Sequence, residues 1–508
     1  EKITAEDTSH LNSYSVINEF FTRVIHKSKN IKIVLTSRVR PDCFDSPEWA
    51  PGTAVEITLD GLPLDSICDY INANEISNNQ MRGIWDKTSG NPYALGLLMS
   101  LLRNRKENLK IDDLPLFNDD RASLWADSLI DTLDDDVKDL ACKIAVVRSA
   151  VSLDLINRMA YVASDKVFPL VTKMVDSYIL QYIGKKQYQM QNYIREALLS
   201  KANPKNIRKA HANAGSYFEQ ITAKINDPYD RTEVILHSIY HYANAENWQG
   251  ILNQANEVYD FLLSRGDRDR SCSICEVALK AAKNTTDNKL VVFWLLCQVK
   301  RNLHNKKFDE AQENLDEAFL LPPHVSGNEN PELLNSWKSL EAQLWVQNAW
   351  LAYELENFQK IDQSIKNGID LAEQSGDRII LADILINIGQ IERRLGRIED
   401  SKQHISNAAN FASKMGDNRL LGRCIRYLGL IARAENNMGE AMRLFKLAIE
   451  KAELADDIKE NRINQGLLGD IALRSGDFEK AEAIFRERLI KERKIGKGRG
   501  LRITLGWL

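Results

Sequence analysis

The C-terminal part of the chain repeats itself every 40 residues, and this feature constrains the fold more than any other. Shifting the sequence against itself by 40 positions aligns glycines with glycines and large apolar residues with each other in three successive units: Gly389, Gly429 and Gly469, and Ile405, Phe445 and Phe485. An earlier unit follows the same frame from Leu351 to Ile365. A repeat of this length is typical of stacked supersecondary units.

Each unit has the pattern of two amphipathic helices joined by a short turn. In one unit, apolar residues recur three and four apart over 381–395 and over 398–415, with Gly396-Arg397 between them. Gly389, inside the first helix, lowers helix propensity by roughly 1 kcal/mol relative to alanine, which predicts a neighbouring helix too close for a Cβ. Helical hairpins that cannot bury both faces alone must stack, so the sequence predicts an α-solenoid.

The last unit reads Leu-Leu-Gly-Asp-Ile-Ala over 467–472 and Gly-Asp-Phe-Glu-Lys-Ala over 476–481. This pattern resembles a tetratricopeptide repeat (TPR). The usual unit has 34 residues, so this chain is similar to the longer-helix variant of kinesin light chains and bacterial signalling regulators. Weaker units are predicted at Trp248 and Phe308, and a loop or hinge from Pro322 to Pro331. The resemblance implies a concave surface that binds a protein or peptide or, less often, nucleic acid; alternatively, the repeats only space other domains.

Composition limits the remaining possibilities. The chain has 508 residues, of which 44% are hydrophobic and 27% charged, with a net charge of −4 and seven cysteines. This length allows about three to five domains and excludes a disordered chain or a disulfide-stapled miniprotein. The scattered cysteines and the lack of an apolar run of roughly 20 residues predict a soluble cytoplasmic protein without a membrane span. Nearly balanced charge restricts any nucleic-acid contact to a local patch.

A buried strand with a polar end is predicted near the N-terminus. An apolar, largely β-branched run over 31–35 ends in Thr36, Ser37 and Arg38. Strands of this composition are typical of parallel sheets covered on both faces, where ligands bind at the carboxyl ends of the strands. Arg38 is therefore a candidate phosphate contact, although an arginine that caps a strand is more often a surface residue.

Two further elements give this region its family resemblance. A second predicted strand over 55–59 and a helix are followed by Thr-Ser-Gly-Asn-Pro over 88–92, with Pro92 suited to the first turn of a helix. The order resembles signal-transducing NTPases with numerous domains, the STAND class, which includes NB-ARC and NACHT proteins. The resemblance implies that Arg38, preceded by Thr36 and Ser37, is the sensor-1 arginine that contacts the γ-phosphate, and that Pro92 packs on the adenine.

Residues 121–200 read as helices followed by a β-hairpin, with strands at 178–182 and 187–190 flanking 183–186. This arrangement resembles the winged-helix domain that follows the nucleotide domain in the STAND class. Met-Gln-Asn-Tyr-Ile-Arg-Glu over 190–196 then occupies the place of the family motif M-H-D-x-x-R-E. Gln191 occupies the position of the motif's histidine, which in the family contacts the ADP β-phosphate. Glutamine can donate a hydrogen bond but cannot become cationic, which puts tight ADP locking in doubt.

The sequence has no phosphate-binding G-x-x-x-x-G-K-[ST] loop, and no Mg²⁺-binding aspartate follows a strand ahead of the sensor-1 strand. We therefore expect the chain to begin just after the Walker B strand of a longer protein. ATP or ADP with Mg²⁺ is expected in the full-length protein and not in these residues alone. ATPase activity is expected only as part of a longer chain, with no catalytic constellation and no metal site here.

Three other patterns have a plainer explanation than the chemistry they suggest. Cys272 and Cys275 have CxxC spacing without a second pair, which favours buried thiols over zinc. His237 and His241 lack the glutamate of H-E-x-x-H. Eight Lys or Arg residues over 486–502 suit a nucleic-acid or phosphorylated partner, but a solvated helix is the preferred interpretation.

The sequence thus predicts a mostly helical chain of five parts. These are the C-terminal part of a parallel α/β NTPase domain (1–59), a helical lid (60–118), a winged helix (119–205), a helical linker with irregular TPR-like repeats (206–330) and a solenoid of 40-residue repeats (331–508). The resemblance implies a regulator whose repeats sense a trigger and drive ATP-dependent homo-oligomerisation of an effector, with bacterial antiphage defence as one setting. A STAND-type transcriptional regulator and a passive TPR scaffold are the alternatives.

Overall fold

The computed structural model describes residues 60–71, 78–104, 116–117, 122–160, 164–265, 267–322 and 331–495. Within these ranges the chain is mostly helical, with 22 helices and one three-stranded sheet. It divides into two compact units, Glu1–Arg121 and Ala122–Leu508. No helix of the described ranges combines the length and the apolar sequence needed to cross a bilayer. The predictions for 1–59, and most of the predicted loop after Pro322, lie outside these ranges.

The described part of the first unit contains three helices: α1 (Leu64–Ile71), α2 (Asn78–Thr88) and α3 (Pro92–Asn104). The Asn91 side chain begins α3 by accepting hydrogen bonds from the backbone N–H groups of Tyr93 at 2.9 Å and Ala94 at 3.1 Å. Pro92 occupies the first helical position, where a missing N–H costs nothing. The predicted helix start at Pro92 is confirmed.

Two chain segments of the first unit approach each other through glycines. The Leu62 N–H donates to the Gly90 carbonyl at 2.8 Å, and the Trp85 indole donates to the Leu62 carbonyl at 3.0 Å. A Cβ on Gly61 would overlap the Ser89 carbonyl, and Gly90 has a left-handed φ of 69°. Glycine is therefore required both in the turn that precedes α3, at Gly90, and in the segment that lies against this turn, at Gly61.

The second unit opens with helices and a small sheet. The elements, in chain order, are α4 (Ala122–Ile130), α5 (Asp135–Ile144), β1 (Val151–Ser152), α6 (Leu153–Ala160), α7 (Ser164–Asp176), β2 (Gln181–Gly184), β3 (Gln187–Gln189) and α8 (Asn192–Lys201). The central strand β3 pairs antiparallel with both β1 and β2. Lys185 and Lys186, with φ of 50° and 59°, form the tight turn of the hairpin. The predicted hairpin is confirmed, although β2 begins at Gln181 and not at 178.

Fourteen helices follow, and each packs on the next. Their bounds are α9 (Pro204–Thr222), α10 (Pro228–Ala245), α11 (Trp248–Arg265), α12 (Arg268–Lys283), α13 (Asn288–His304), α14 (Phe308–Leu320), α15 (Pro331–Glu354), α16 (Phe358–Ser375), α17 (Arg378–Arg394), α18 (Ile398–Met415), α19 (Asn418–Ala434), α20 (Met438–Leu454), α21 (Ile458–Arg474) and α22 (Phe478–Ile495). The predicted α-solenoid is confirmed as repeat-like helical packing.

The repeats share one turn geometry. In the last four hairpins a single left-handed residue ends the turn, and the second helix begins two residues later: Glu356, Gly396, Asn436 and Gly476. Glu246 and Lys306 adopt the same conformation ahead of Trp248 and Phe308. The two weaker units predicted upstream therefore do begin helices, at the predicted residues.

The aligned glycines and the aligned large apolar residues contact each other. A Cβ on Gly389 would lie 2.6 Å from the Ile405 side chain, and one on Gly429 would lie 2.7 Å from the Phe445 ring. Gly469 meets Phe485 in the same way. The prediction that a neighbouring helix leaves no room for a Cβ is confirmed, and the neighbour is the second helix of the same hairpin.

The first helices of successive hairpins also contact each other. Helix α15 packs against α17, α17 against α19, and α19 against α21, whereas between residues 331 and 495 no contact of similar extent joins successive second helices. In a curved stack, helices that reach their next-but-one neighbours line the concave side. We call the surface formed by α15, α17, α19 and α21 the inner face.

Candidate functional site: the inner face of the solenoid

The residues predicted to contact nucleotide fall in three places. Thr36, Ser37 and Arg38 lie outside the described residues. Pro92 is exposed at the start of α3, in the first unit. Gln191 is half-buried immediately before α8, in the second unit, and its side chain does not cap the helix. A shared nucleotide site for these residues remains a prediction.

Arg195 holds the segment that begins with Gln191. This residue of α8 is buried, and its guanidinium donates to the Asn192 side chain at 2.7 Å and to the backbone carbonyls of Arg148 at 3.2 Å and Met190 at 3.3 Å. These bonds fix the start of α8 against the end of the hairpin. Sequence reasoning placed Arg195 in a motif without assigning it this positioning role.

In each of the two candidate metal patterns, one member is buried between helices, whereas Cys272 is half-buried and His237 is exposed. The buried Cys275 thiol lies 3.7 Å from the Trp294 carbonyl, and burial raises its pKa. The His241 ring is buried, lies 2.9 Å from His211 between their Nδ1 atoms, and stacks on Phe218. In the part of the chain that the structure describes, no group of three or more His, Cys, Asp or Glu side chains is placed to hold a metal ion.

The inner face presents side chains at equivalent positions of four repeats. One row along it runs through half-buried residues 40 positions apart: Trp350, Gln390, Leu430 and Asp470. The backbone is the same at each step, while the side chain changes from aromatic to amide to aliphatic to acidic. A solenoid can specify a partner by varying side chains on such a fixed frame. The sequence predicted a binding surface but did not identify these residues.

Ion pairs join the first helices across the inner face. Arg394 pairs with Glu354 at 3.7 Å, and Arg423 with Asp383 at 2.6 Å. A third pair, at 3.1 Å, links Arg433 of α19 to Asp470 of α21. Arg426 of α19 likewise pairs with Glu460 of α21. We call Arg393, Arg394, Arg423, Arg426 and Arg433 the arginine cluster.

Charge is distributed unevenly between the two kinds of helix. The first helices α15, α17, α19 and α21 contain eleven Lys or Arg residues and seven Asp or Glu residues, a net charge of +4. The second helices α16, α18, α20 and α22 contain thirteen Lys or Arg residues and twelve Asp or Glu residues, a net charge of +1. The inner face is therefore locally positive in a chain whose net charge is −4. The net charge of the whole chain does not reveal this local positive charge.

Arg393 differs from the other members of the arginine cluster. It is half-buried, its Nε is buried without a hydrogen-bond partner, and among the described residues it forms no ion pair. Desolvation lowers its pKa, and the charges of Arg394 and Arg433 lower it further, while Tyr427 and Tyr353 act in the opposite direction. Arg393 is thus a guanidinium held among like charges without an internal carboxylate.

Tyr427 contacts one member of the arginine cluster. The Arg426 guanidinium sits over its ring at 4.1 Å from the centroid, a cation–π contact. On the neighbouring repeat, Arg394 lies over Trp350 at 5.0 Å. Two guanidinium groups of the cluster therefore lie over aromatic rings of the inner helices.

Comparisons with known proteins give no family assignment. No family model matches the chain, and no curated protein matches its sequence. Among solved structures, the chain is similar to a STAND protein with a tetratricopeptide repeat sensor from Pyrococcus horikoshii. That likeness has 13% identity and a TM-score of 0.40, and covers 97% of this chain and 81% of the other.

Two further solved structures are similar to the chain. Aspartyl phosphate phosphatase F from Bacillus subtilis is 11% identical with a TM-score of 0.36, over 87% of this chain and 97% of the other. A Rap protein complexed with competence and sporulation factor is 11% identical with a TM-score of 0.30, over 87% and 96%. All three TM-scores lie below 0.5, so the proposals that follow depend only on the chain's own residues and packing.

Proposed function

We propose that this chain is the sensor-bearing part of a nucleotide-switched signalling regulator, and that the inner face of its solenoid binds a protein or peptide trigger. The observation that carries the proposal is the row of accessible, chemically varied side chains that runs through Trp350, Gln390, Leu430 and Asp470. A rigid scaffold that leaves such side chains half-buried on a concave face is suited to recognition.

The nucleotide part of the proposal rests on sequence motifs. Thr36, Ser37 and Arg38 would contact the γ-phosphate of ATP, and ADP or ATP with Mg²⁺ would be held by the full-length protein. The exposed position of Pro92 at the start of α3 supports a contact with the base. The Gln191 side chain, which is not used as a helix cap, supports a hydrogen bond to phosphate.

The predicted lid and winged helix have supporting features of their own. The three helices α1, α2 and α3 support a helical lid over 60–118. The order of α5, β1, α6, α7, β2 and β3 supports a winged helix within 119–205, because the two-stranded hairpin follows the helices and pairs with the short first strand. These elements would connect the nucleotide site to the solenoid along the chain.

A trigger can drive such a switch only through a difference in affinity between two states. The trigger must bind the open state more tightly than the ADP-bound closed state. In the open state the protein would homo-oligomerise and activate an effector, in antiphage defence or in transcriptional regulation.

Analysis of bound nucleotide in the full natural protein tests the switch. Gentle purification, denaturation and chromatography of the released nucleotide should yield ADP or ATP. Arg38→Ala should lower the fraction of ATP retained, while Arg40→Ala, the same change two residues away, should not. A protein that carries no nucleotide would instead be a passive scaffold.

A further inference from the structure

The arginine cluster contains more positive charge than the inner face can neutralise. Four of its members have an internal acid, namely Glu354, Asp383, Glu460 and Asp470 for Arg394, Arg423, Arg426 and Arg433. Arg393 has none among the described residues. A partly desolvated charge without a partner is costly, because it has lost water and gained no counter-charge. A carboxylate from outside the chain would supply that counter-charge.

We propose that the arginine cluster docks an acidic segment of a partner protein, and that Arg393 binds one of its carboxylates. The inference rests on the proposed function and specifies the chemistry of the trigger. Arginine is suited to this role, since its planar guanidinium presents two parallel N–H donors that match the two oxygens of a carboxylate.

The surroundings of the cluster strengthen its attraction for an anion. Desolvation is the main cause that lowers the pKa of Arg393, and the charges of the nearby Arg394 and Arg433 lower it further. On the next repeat, desolvation is the main cause that lowers the pKa of Lys459; Glu460 and Asp457 raise this pKa, while Arg423 and Arg426 lower it. The charges of the cluster therefore act on side chains of both α17 and α21.

The remaining side chains of this surface suit a peptide. Tyr427 and Leu430 of α19 and Leu467 of α21 are half-buried, and the two leucines pack partly against the core. Each retains apolar surface that a partner side chain can cover. The segment that fits is therefore acidic with interspersed apolar residues.

A nucleic acid fits this surface less well. Nucleic-acid affinity comes largely from neutralising many phosphates in succession. Here Asp383, Glu460 and Asp470 stand on the same face and already pair with arginines, so a continuous phosphate backbone would meet carboxylates at every repeat. Lysine, common in phosphate tracks, occurs only once in α17, α19 and α21, as Lys459.

A peptide array tests the proposal with the complete 508-residue chain. The probes are immobilised 15-residue peptides graded from no carboxylate to eight, with leucine content constant and glutamine replacing glutamate, together with a 20-nucleotide single-stranded RNA. Binding should rise with the number of carboxylates. Arg393→Gln should weaken binding to the most acidic peptides about tenfold, which corresponds to about 1.4 kcal/mol. Arg443→Gln, the same change on an exposed residue of the second helix α20, should leave it within twofold.

A third variant, Gln390→Trp, fills the centre of the inner face without changing charge. Weaker binding in Gln390→Trp combined with normal binding in Arg393→Gln would overturn the acidic-partner inference and leave the proposed trigger surface standing. Binding unaffected by either variant, or absent from every peptide, would overturn both. Equal binding of glutamine and glutamate peptides, or RNA bound more tightly than peptide in an Arg393-dependent manner, would overturn the inference alone. Thermal unfolding followed by circular dichroism confirms that each variant is folded.

Discussion

Arg423 and Asp383 occupy equivalent positions of successive repeats, 40 residues apart, and their side chains meet at 2.6 Å. Helices α17 and α19 contact each other directly, so equivalent positions lie next to each other on the inner face. Both side chains are about 30% exposed, at 28% for Arg423 and 31% for Asp383. The pair therefore couples two repeats and at the same time forms part of the proposed binding surface.

A double-mutant cycle on this pair should give a favourable coupling energy of about 1 kcal/mol, near the upper end for pairs with some solvent contact. The variants are Arg423→Gln, Asp383→Asn and the double change, measured by urea unfolding followed by circular dichroism. Coupling should fall in high salt because solvent ions screen the pair. The exposed pair Arg443 and Glu440 is the control, and we expect a smaller coupling there. Equal coupling in both cycles would contradict the prediction.

Gly429→Ala should destabilise the solenoid by about 1–3 kcal/mol. The new Cβ would lie 2.7 Å from the Phe445 ring, and overpacking of this kind forces helices apart. Urea unfolding monitors the loss. Gly439→Ala is the matched control, since no atom lies within 3.4 Å of its Cβ position and alanine favours a helix. Phe445→Leu should recover part of the loss in Gly429→Ala, and a loss of similar size in Gly439→Ala would contradict this explanation.

The repeat fold was predictable from the sequence because two positions that recur every 40 residues, a glycine and a large apolar residue, contact each other in the structure. The positions of Gly389 and Ile405 recur with the same spacing in three repeats, with phenylalanine in place of isoleucine in the last two, and the structure places the second position against the first. The upstream helices were harder to predict, because only the left-handed Glu246 and Lys306 and the aromatic residues after them keep the pattern. Glu246 and Lys306 are not glycine, as Glu356 and Asn436 are not in two of the regular repeats, so the sequence does not mark these turns.

The arginine cluster was not predictable from the sequence. Arg393 and Arg394 are neighbours in the chain, yet only Arg394 reaches an acid, Glu354 of another helix. Which arginine is paired depends on how far each helix rotates about its axis, and periodicity alone does not fix this rotation. Composition pointed away from a charged surface, since the net charge of −4 averages basic first helices with the more acidic remainder of the chain.

His404 should stabilise its repeat more at low pH than at high pH. Its ring N–H donates to the buried Glu392 carboxylate at 2.8 Å, and this hydrogen bond raises the pKa of His404 above the ordinary 6.5. A raised pKa in the folded state means that the stabilisation is fully present below about 6.5 and is lost as pH rises through the folded-state value. His404→Gln should therefore cost about 1 kcal/mol more at pH 6 than at pH 9 in urea unfolding. A cost that does not depend on pH would contradict the charged pair.

His211 and His241 should respond to pH in the opposite sense. Both are buried, and their Nδ1 atoms lie 2.9 Å apart, so one nitrogen must donate and the other accept. Desolvation is the main cause that lowers their pKa values, to about 4 for His211 and about 3 for His241. Nearby positive charge adds to the effect, from Arg148 on His211 and from His211 and His237 on His241.

Because these folded-state pKa values lie below the unfolded value of 6.5, the neutral pair stabilises the fold above pH 6.5, and this stabilisation is lost as pH falls toward 4 and then 3. Linkage gives a loss of about 2 kcal/mol per histidine between pH 7 and pH 5.

The double change His211→Gln and His241→Gln keeps a donor and an acceptor but cannot titrate. The pH-dependent loss in urea unfolding should therefore shrink by about 4 kcal/mol relative to the unsubstituted chain. His404→Gln, measured in parallel, should not reduce this acid sensitivity, because removing a histidine with a raised pKa acts with the opposite sign. An unchanged acid profile in the double variant would show that the pair is solvated in solution and does not lie inside the α9–α10 hairpin as a neutral unit.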